Sequence, residues 1–371
     1  MIWTTLLAML WMGIVTLILR ICAGIFEKKC LEEVSVSLGF SADEAREGES
    51  LMLYETVENR KKDILPLLAL RFKTSRYLSF PDVEGVVSDY FYRKDLLSVK
   101  GYEKVVRKLT FRCKKRGVYT IEDVEITASD SFFFTKKRKK IAAGAGLTVY
   151  PKRVDLSRLN PEWKRQYGSF SSPLPLFEDP FSYIGIRDYM PGDDMKKIHW
   201  KSSAKSGHLQ VKTSDYKGNE NVLVLCHLES PGTFINSGAM EENIRITFSL
   251  VEFLRKNDVN CHLIVNGNES HRFHSMEPNF FPMVKRFLAQ VEYDRVRQKA
   301  GEFMATADER IQGDECIYLI SSVGKKEVTD YVGKWLKKGI PVTWIATIGS
   351  GEDDTAGCSG KIREHLVRWP C

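Results

Sequence analysis

Asp193 and Asp194 stand side by side directly after Pro191-Gly192, with His199 a few residues on. Paired carboxylates near an imidazole are the groups a hydrolase uses for general acid and base work. A Pro-Gly pair makes a tight turn, and neighbours on a turn diverge more often than they converge, so the catalytic reading is the weaker one. The same stretch carries Arg187, Tyr189, Trp200 and Lys201. Charge mixed with large aromatics is unlike a solvated linker, and Trp200 is costly to expose. The segment is therefore expected to pack on something. The sharper reading is an interaction surface built from Arg187, Tyr189, Asp193, Asp194, Trp200 and Lys201. The plainer one is a connector whose charges pair among themselves. Leu209 and Val211, alternating with Gln210 and Lys212, read as the start of a strand.

Other reactive constellations are missing from the sequence. There is no G-x-S-x-G elbow, no P-loop and no G-x-G-x-x-G after a strand. The pair Gly144 and Gly146 reads as part of a loop. His271-x-x-His274 would suit a metal only on a helix, and its surroundings read as a loop or hairpin. In Cys226-His227 and Cys261-His262 the neighbours point to opposite faces of a strand. These histidines read as structural. The eight cysteines include no C-x-x-C pair, which rules out a zinc-ribbon or thioredoxin signature. Cys226, Cys261 and Cys316 lie in apolar runs and behave as small hydrophobes, a pattern suited to a reducing compartment. No catalytic residue, cofactor or metal is expected.

The elements that position these residues begin with an apolar stretch. Ile2 to Leu19 carries only threonines as polar residues and, continued past Arg20 to Phe26, is long enough to span a bilayer as a helix. A cleaved signal peptide would want a positive start and a small-residue cleavage site; neither is present, so an uncleaved anchor is expected. Arg20, Lys28 and Lys29 follow the span and no Lys or Arg precedes it. The positive-inside rule then places the bulk of the chain in the cytoplasm, single-pass, at the cell membrane.

From Leu31 to Tyr150 short alternating runs are separated by turn signals. Val34–Leu38, Ser50–Val57, Leu67–Phe72, Lys104–Phe111, Arg116–Ile121, Val124–Ala128 and Leu147–Tyr150 read as strands, and their spacing suggests an antiparallel β-sandwich. The net charge of +7 is uneven: Arg60 to Lys140 holds 21 Lys and Arg against 10 Asp and Glu. A basic section after a membrane anchor favours contact with anionic lipid headgroups. Phe132-Phe133-Phe134 beside Lys136–Lys140 has three readings: core aromatics with a solvated basic loop, membrane contact, and, least favoured, nucleic acid.

The C-terminal part alternates strands and helices: Asn221–Leu228, then a helix over Glu241–Asn257, a strand over Cys261–Val265, a helix over Phe281–Val291, a strand over Cys316–Ile320, a helix over Val328–Lys338 and a strand over Val342–Ile348. Such alternation means crossovers and a parallel sheet, with ligands at the carboxyl ends of the strands. The chain thus divides into an anchor at 1–30, a β-sandwich at 31–150, a connector at 151–215 and an α/β domain at 216–371.

The connector resembles the domain-of-unknown-function 58 family, whose hallmark is R-x-Y-x-P-G-D-D followed by I-D-W-x-x-S-A-R. Arg187, Tyr189, Pro191, Gly192, Asp193, Asp194, Ile198, Trp200, Ser203, Ala204 and Gly207 match. His199 stands where the family has Asp, and Lys205 where it has Arg. The resemblance implies a membrane-anchored protein with a von Willebrand factor A-like C-terminal domain, partnered by a MoxR-type AAA+ ATPase in assembling or remodelling proteins at the membrane. It also implies a D-x-S-x-S site for Mg²⁺ after the first strand. The matching stretch here is His227-Leu228-Glu229-Ser230-Pro231, where only Glu229 and Ser230 could ligate, so that site is expected to be lost. The expectation is a non-enzymatic interaction or scaffold protein. The alternatives are a hydrolase using Asp193 and Asp194, or a basic lipid-binding module.

Overall fold

The opening run folds as the sequence predicts. Ile2–Lys29 form one helix, α1, in which Met9–Phe26 has a mean hydropathy of 2.1 and none of that window is buried against the rest of the protein. Eighteen helical residues rise about 27 Å, close to the thickness of a hydrocarbon core. The computed structural model describes residues 2–82, 88–130, 135–159, 185–189, 195, 198–213, 221–229, 237–257, 259–266, 271–293, 298–311, 315–322, 324, 326–348, 360–363 and 365–370. They group into two units, Met1–Lys152 and Arg153–Cys371.

The described residues of the first unit form nine strands: β1 (Val34–Phe40), β2 (Glu44–Arg46), β3 (Ser50–Asn59), β4 (Leu65–Ser75), β5 (Leu78–Ser79), β6 (Tyr90–Val99), β7 (Lys104–Cys113), β8 (Gly117–Ser129) and β9 (Lys136–Tyr150). One sheet has the order β1-β3-β7-β5 and the other β2-β9-β8-β4-β6. Period-two alternation decides which side chains turn inward. Val34, Val36 and Leu38 of β1, Leu53 and Val57 of β3, and Leu109 and Phe111 of β7 share one apolar core with Leu68, Leu70 and Phe72 of β4, Val124 and Ile126 of β8, and Leu147 and Val149 of β9.

Three expectations need correction in this unit. The runs 116–121 and 124–128 are one strand, β8, whose pairing with β9 shifts register between Ile121 and Asp123. Gly144 belongs to β9 rather than to a loop; it sits on the side of that shift with the extra residue, at φ +59, a left-handed conformation that glycine adopts without penalty at a bulge. Lys136–Lys140 also lie in β9, because backbone pairing from Ser129↔Lys136 to Glu125↔Lys140 holds them extended. Phe132–Phe134 lie outside the described residues.

The second unit opens with a 3₁₀ turn at Leu156–Leu159, followed by β10 (Gly185–Asp188), α2 (Trp200–Ser206) and β11 (Gln210–Thr213). Then come β12 (Asn221–His227), α3 (Ser237–Lys256), β13 (Cys261–Val265), β14 (His271–His274), α4 (Phe280–Gln290), α5 (Ala300–Asp308), β15 (Glu315–Ser321), α6 (Lys326–Lys337), β16 (Val342–Ile348), α7 (Gly360–Arg363) and β17 (Leu366–Pro370). The order is β14-β13-β12-β15-β16-β17. All pairings are parallel except that of β14 with β13.

Strands buried on both faces read as unbroken apolar runs, and Val222–Cys226 is one. Val222, Val224 and Cys226 pack with Ile244, Phe248 and Val251 of α3 and Val284 and Leu288 of α4. Leu223 and Leu225 pack on the opposite face with Phe303 of α5 and Val328, Val332 and Trp335 of α6. Helices therefore cover both faces of the sheet. Cys30, Cys113, Cys226, Cys261 and Cys316 are all buried.

Candidate functional site

Among the described residues of the second unit, two polar groupings bear on the predicted site: the α2 segment and the carboxyl ends of the parallel strands. In the α2 segment, β10 pairs antiparallel with β11, Arg187 opposite Val211, and the Tyr189 N–H donates to the Leu209 carbonyl at 2.8 Å. Ile198 bridges Val211. His199 caps α2: its Nδ1 accepts the Ser202 N–H at 3.0 Å, satisfying one of the orphan donors of a helix start. Aspartate is a strong residue at that position, and histidine keeps the acceptor.

Ser203 is buried. Its hydroxyl donates to the His199 carbonyl at 3.1 Å and accepts the Gln210 N–H at 2.8 Å. Gly207 ends the helix at φ +80, donating to the Ser203 carbonyl at 2.9 Å, the left-handed closure for which glycine is favoured. Gln210 is held in turn by the Ser202 hydroxyl at 2.6 Å and itself donates to Asp188 Oδ1 at 3.2 Å. His208 Nε2 stands 2.9 Å from the same oxygen. The matching Ser203 and Gly207 are thus folding devices.

Trp200 does not pack inward as expected. It is 66% exposed at the first position of α2, with Met195 67% and Leu209 43% exposed in the same segment. Trp200 precedes the buried Ser203 by three residues, yet the segment's small inward face is filled by Ile198, Ser203 and Val211. Lys201 is exposed and Tyr189 half-buried. Asp193, Asp194 and the side chain of Arg187 lie outside the described residues.

At the carboxyl ends of the strands, parallel pairing sets His227 of β12 opposite Ser321 of β15. His227 Nδ1 lies 3.0 Å from Ser321 Oγ, both side chains fully buried. His227 Nε2 is 3.3 Å from Glu229 Oε2, and its ring stacks on Phe303 with centroids 5.4 Å apart. Glu229 Oε2 accepts the N–H of Ala300, the first residue of α5, at 2.8 Å. Ser322 donates to the Glu229 carbonyl at 3.1 Å. Below, Asn243 of α3 donates to the His227 carbonyl at 3.2 Å and accepts from Thr347 at 2.6 Å. Asn266 Oδ1 accepts the Leu228 N–H at 2.5 Å.

The carboxylate that would serve a divalent cation is therefore turned onto a helix N-terminus, where the macrodipole favours it. Ser230 lies outside the described residues. Among the described residues, no three His, Cys, Asp or Glu side chains gather as a metal group.

His271 and His274 do not converge either. They lie on strand β14, where an offset of three puts side chains on opposite faces. His271 packs on Phe287, and His274 meets His262 across the β13–β14 pair, each at 4.5 Å between ring centroids. Burial first, and then the neighbouring His274, holds the His262 pKa below its usual value. The sequence reading missed the His227–Ser321 and His262–His274 contacts; only the strand register reveals them.

An N-terminal apolar helix followed by several β-sheets, with mixed α/β content, is the class of architecture in hand. Residues 185–285 match the family described as "Protein of unknown function DUF58", a match that takes in β10, α2 and β11. The curated "Uncharacterized protein YeaD" of Bacillus subtilis (strain 168) is 26% identical over 181 residues, covering 48% of this chain and 44% of that protein. The chain thus spans under half the length of this relative. Among solved structures, the CARDB domain of a Pyrococcus furiosus protein in complex with di-metal ions covers 32% of this chain and 90% of its own, at 12% identity and a TM-score of 0.22. A non-cellulosomal cohesin from Archaeoglobus fulgidus covers 34% and 97%, at the same identity and TM-score. Likeness at that level carries no argument.

Proposed function

We propose that this chain is a non-enzymatic, membrane-anchored interaction protein whose docking surface is the α2 segment. Its partner is a MoxR-type AAA+ ATPase engaged in assembling or remodelling proteins at the membrane. In this reading α1 is a single-pass anchor with the bulk of the chain cytoplasmic. The first unit is a β-sandwich spacer, antiparallel but for the short β2–β9 pair, and the second a von Willebrand A-like module. The observation that carries the proposal is the exposure of Trp200 in a segment otherwise pinned by part-buried hydrogen bonds to the buried Ser203. Tryptophan is enriched among the few residues that carry most of the binding energy of a protein interface. Met195 and Leu209 extend the apolar area, and Lys201 supplies a charge at its rim.

The test is binding of the purified MoxR-type ATPase from the same cell to the full chain in nanodiscs. Trp200→Ala should weaken binding by about 30-fold, as expected of an interface anchor, while the melting temperature stays within a degree or two of wild type, since the side chain touches little. Unchanged affinity would remove the docking surface from α2. Peptidase or esterase turnover abolished by Asp193→Asn with Asp194→Asn would replace the whole reading with the hydrolase.

A further inference from the structure

We propose that the end of the first unit from which α1 departs is a cationic collar that binds the anionic headgroups of the leaflet α1 enters. The inference rests on α1 spanning a membrane, as proposed above. Strand register fixes which segments share that end. Val34 at the start of β1 pairs with Asn59 at the end of β3, and Glu58 pairs with Lys104 at the start of β7. In the other sheet Leu65 at the start of β4 pairs with Val99 at the end of β6, and Ser129 at the end of β8 pairs with Lys136 at the start of β9. The β3–β4 and β6–β7 connections and the basic start of β9 therefore lie where the helix leaves.

Hydrogen bonds tie these segments to the helix exit. Lys61 Nζ donates to the Lys29 carbonyl at 2.9 Å and also to that of Cys30. The Arg60 N–H donates to the Glu33 carbonyl at 3.0 Å. Asn59 Nδ2 donates to the carbonyls of Asp63 at 2.8 Å and Lys100 at 2.9 Å. Cys30 and Leu31, the residues that follow α1, are buried in the unit's core, so the collar is fixed to the helix without a free linker. Burial raises the Cys30 thiol pKa, and the charges of Lys61 and Lys137 oppose it.

The basic character of this end comes from the start of β9, where Lys136 to Lys140 are five cations in succession, faced across the β8–β9 pair by Glu125. Lys136, Arg138, Lys139 and Lys140 are exposed. Their acidic neighbours hold them loosely: Arg138 stands 3.8 Å from Glu125 and Lys140 3.4 Å from Asp123. Headgroup phosphates lie just beyond the end of a spanning helix. Cations fixed there sit within a Debye length of them, where each basic side chain contributes to binding.

The full chain is reconstituted in nanodiscs of phosphatidylcholine alone or mixed with phosphatidylglycerol. Amine-labelling rates at Lys61, Lys62, Lys136 and Lys139 are read by mass spectrometry, with Lys114 at the opposite end as internal control. In anionic discs the collar lysines should label about fivefold more slowly, as expected for amines held near a charged surface. The protection should vanish in about 0.5 M NaCl, and Lys114 should not change. Lys136→Glu with Lys139→Glu should abolish protection at Lys61 and Lys62. A chain that stays in the discs but labels equally in both lipids overturns the collar and leaves the anchor standing. A chain that fails to co-elute with either disc overturns both. Equal protection by a DNA oligonucleotide without lipid would reassign the surface to nucleic acid.

Discussion

Arg93→Ala should be among the most damaging single substitutions in the first unit, with a loss of about 3–5 kcal/mol, the usual cost of orphaning a buried charge. Arg93 is 4% exposed on β6. It makes a two-pronged bond to Asp82 at 2.6 and 2.8 Å and bonds Asp95 Oδ2 through Nε at 2.8 Å. Its guanidinium also lies over the Phe80 ring, 4.8 Å from the centroid. Desolvation opposes its charge, but the bonds it donates to Asp82 and Asp95 outweigh that and raise its pKa.

Removing Arg93 leaves Asp95 buried beside Glu55, with Arg107 the one cation in reach among the described residues, 3.4 Å from Asp95 and 3.7 Å from Glu55. Hydrogen exchange of the β3 and β7 amides isolates this unit from the second. A loss below about 1 kcal/mol would mean that water reaches the cluster on opening without cost. Arg93→Met combined with Asp95→Leu and Glu55→Leu should recover most of the loss, because apolar replacement of a whole buried ion cluster is close to neutral.

Glu55 gives the same unit an unusual response to pH. It is fully buried on β3, and neither carboxyl oxygen finds a nitrogen donor within hydrogen-bond distance among the described residues. Burial first, and then Asp95, pushes its pKa up to about 7. The folded state therefore holds a proton that the unfolded chain releases near the ordinary carboxyl value. The stabilisation is fully present below about pH 4.5 and is lost as pH rises through about 7, amounting to at most about 3 kcal/mol.

The first unit should thus be less stable at pH 8 than at pH 5, the reverse of a salt-bridged carboxylate. Asp82, held below the usual range first by its hydrogen bond from Arg93, acts oppositely and only in more acidic solution. Exchange-derived stabilities measured from pH 5 to pH 8 check this. Glu55→Gln should flatten the dependence, and a wild-type slope of zero would place the carboxylate in contact with water.

The same cluster explains where the fold was hard to read. Clean alternation made Val34–Leu38 and Ser50–Val57 legible, and the unbroken apolar runs from Asn221 and Cys316 announced strands covered on both faces. Strand β6 went unseen because its polarity is inverted. Arg93 and Asp95 point inward, while Tyr90, Tyr92 and Leu96 are 56%, 61% and 57% exposed. Tyr90 and Tyr92 lie under Lys73 and Arg71 of the neighbouring strand. A reading that equates charge with solvent assigns such a stretch to a loop. Lys136–Lys140 misled for a related reason: a run of cations has no strand signature, and the backbone ladder with β8 holds them in one.

At the candidate site, the importance of the 187–205 segment was visible, but the division of labour within it was not. Ser203, a small polar residue of no apparent weight, is the buried pin, and the conspicuous Trp200 faces solvent. The His227–Ser321 contact joins residues far apart in the chain through a parallel pairing, and no local pattern records a register of that kind.

The buried thiols have a practical consequence. Burial pushes the Cys113 pKa up to about 11 and that of Cys261 to about 12, so these sulfurs are neutral and inaccessible in the native molecule. Alkylation at them can proceed only through transient opening. Cys30 and Cys113 lie in one unit, and Cys226, Cys261 and Cys316 in the other. Timed exposure to iodoacetamide therefore works as a pair of built-in clocks, ticking separately for each half of the chain.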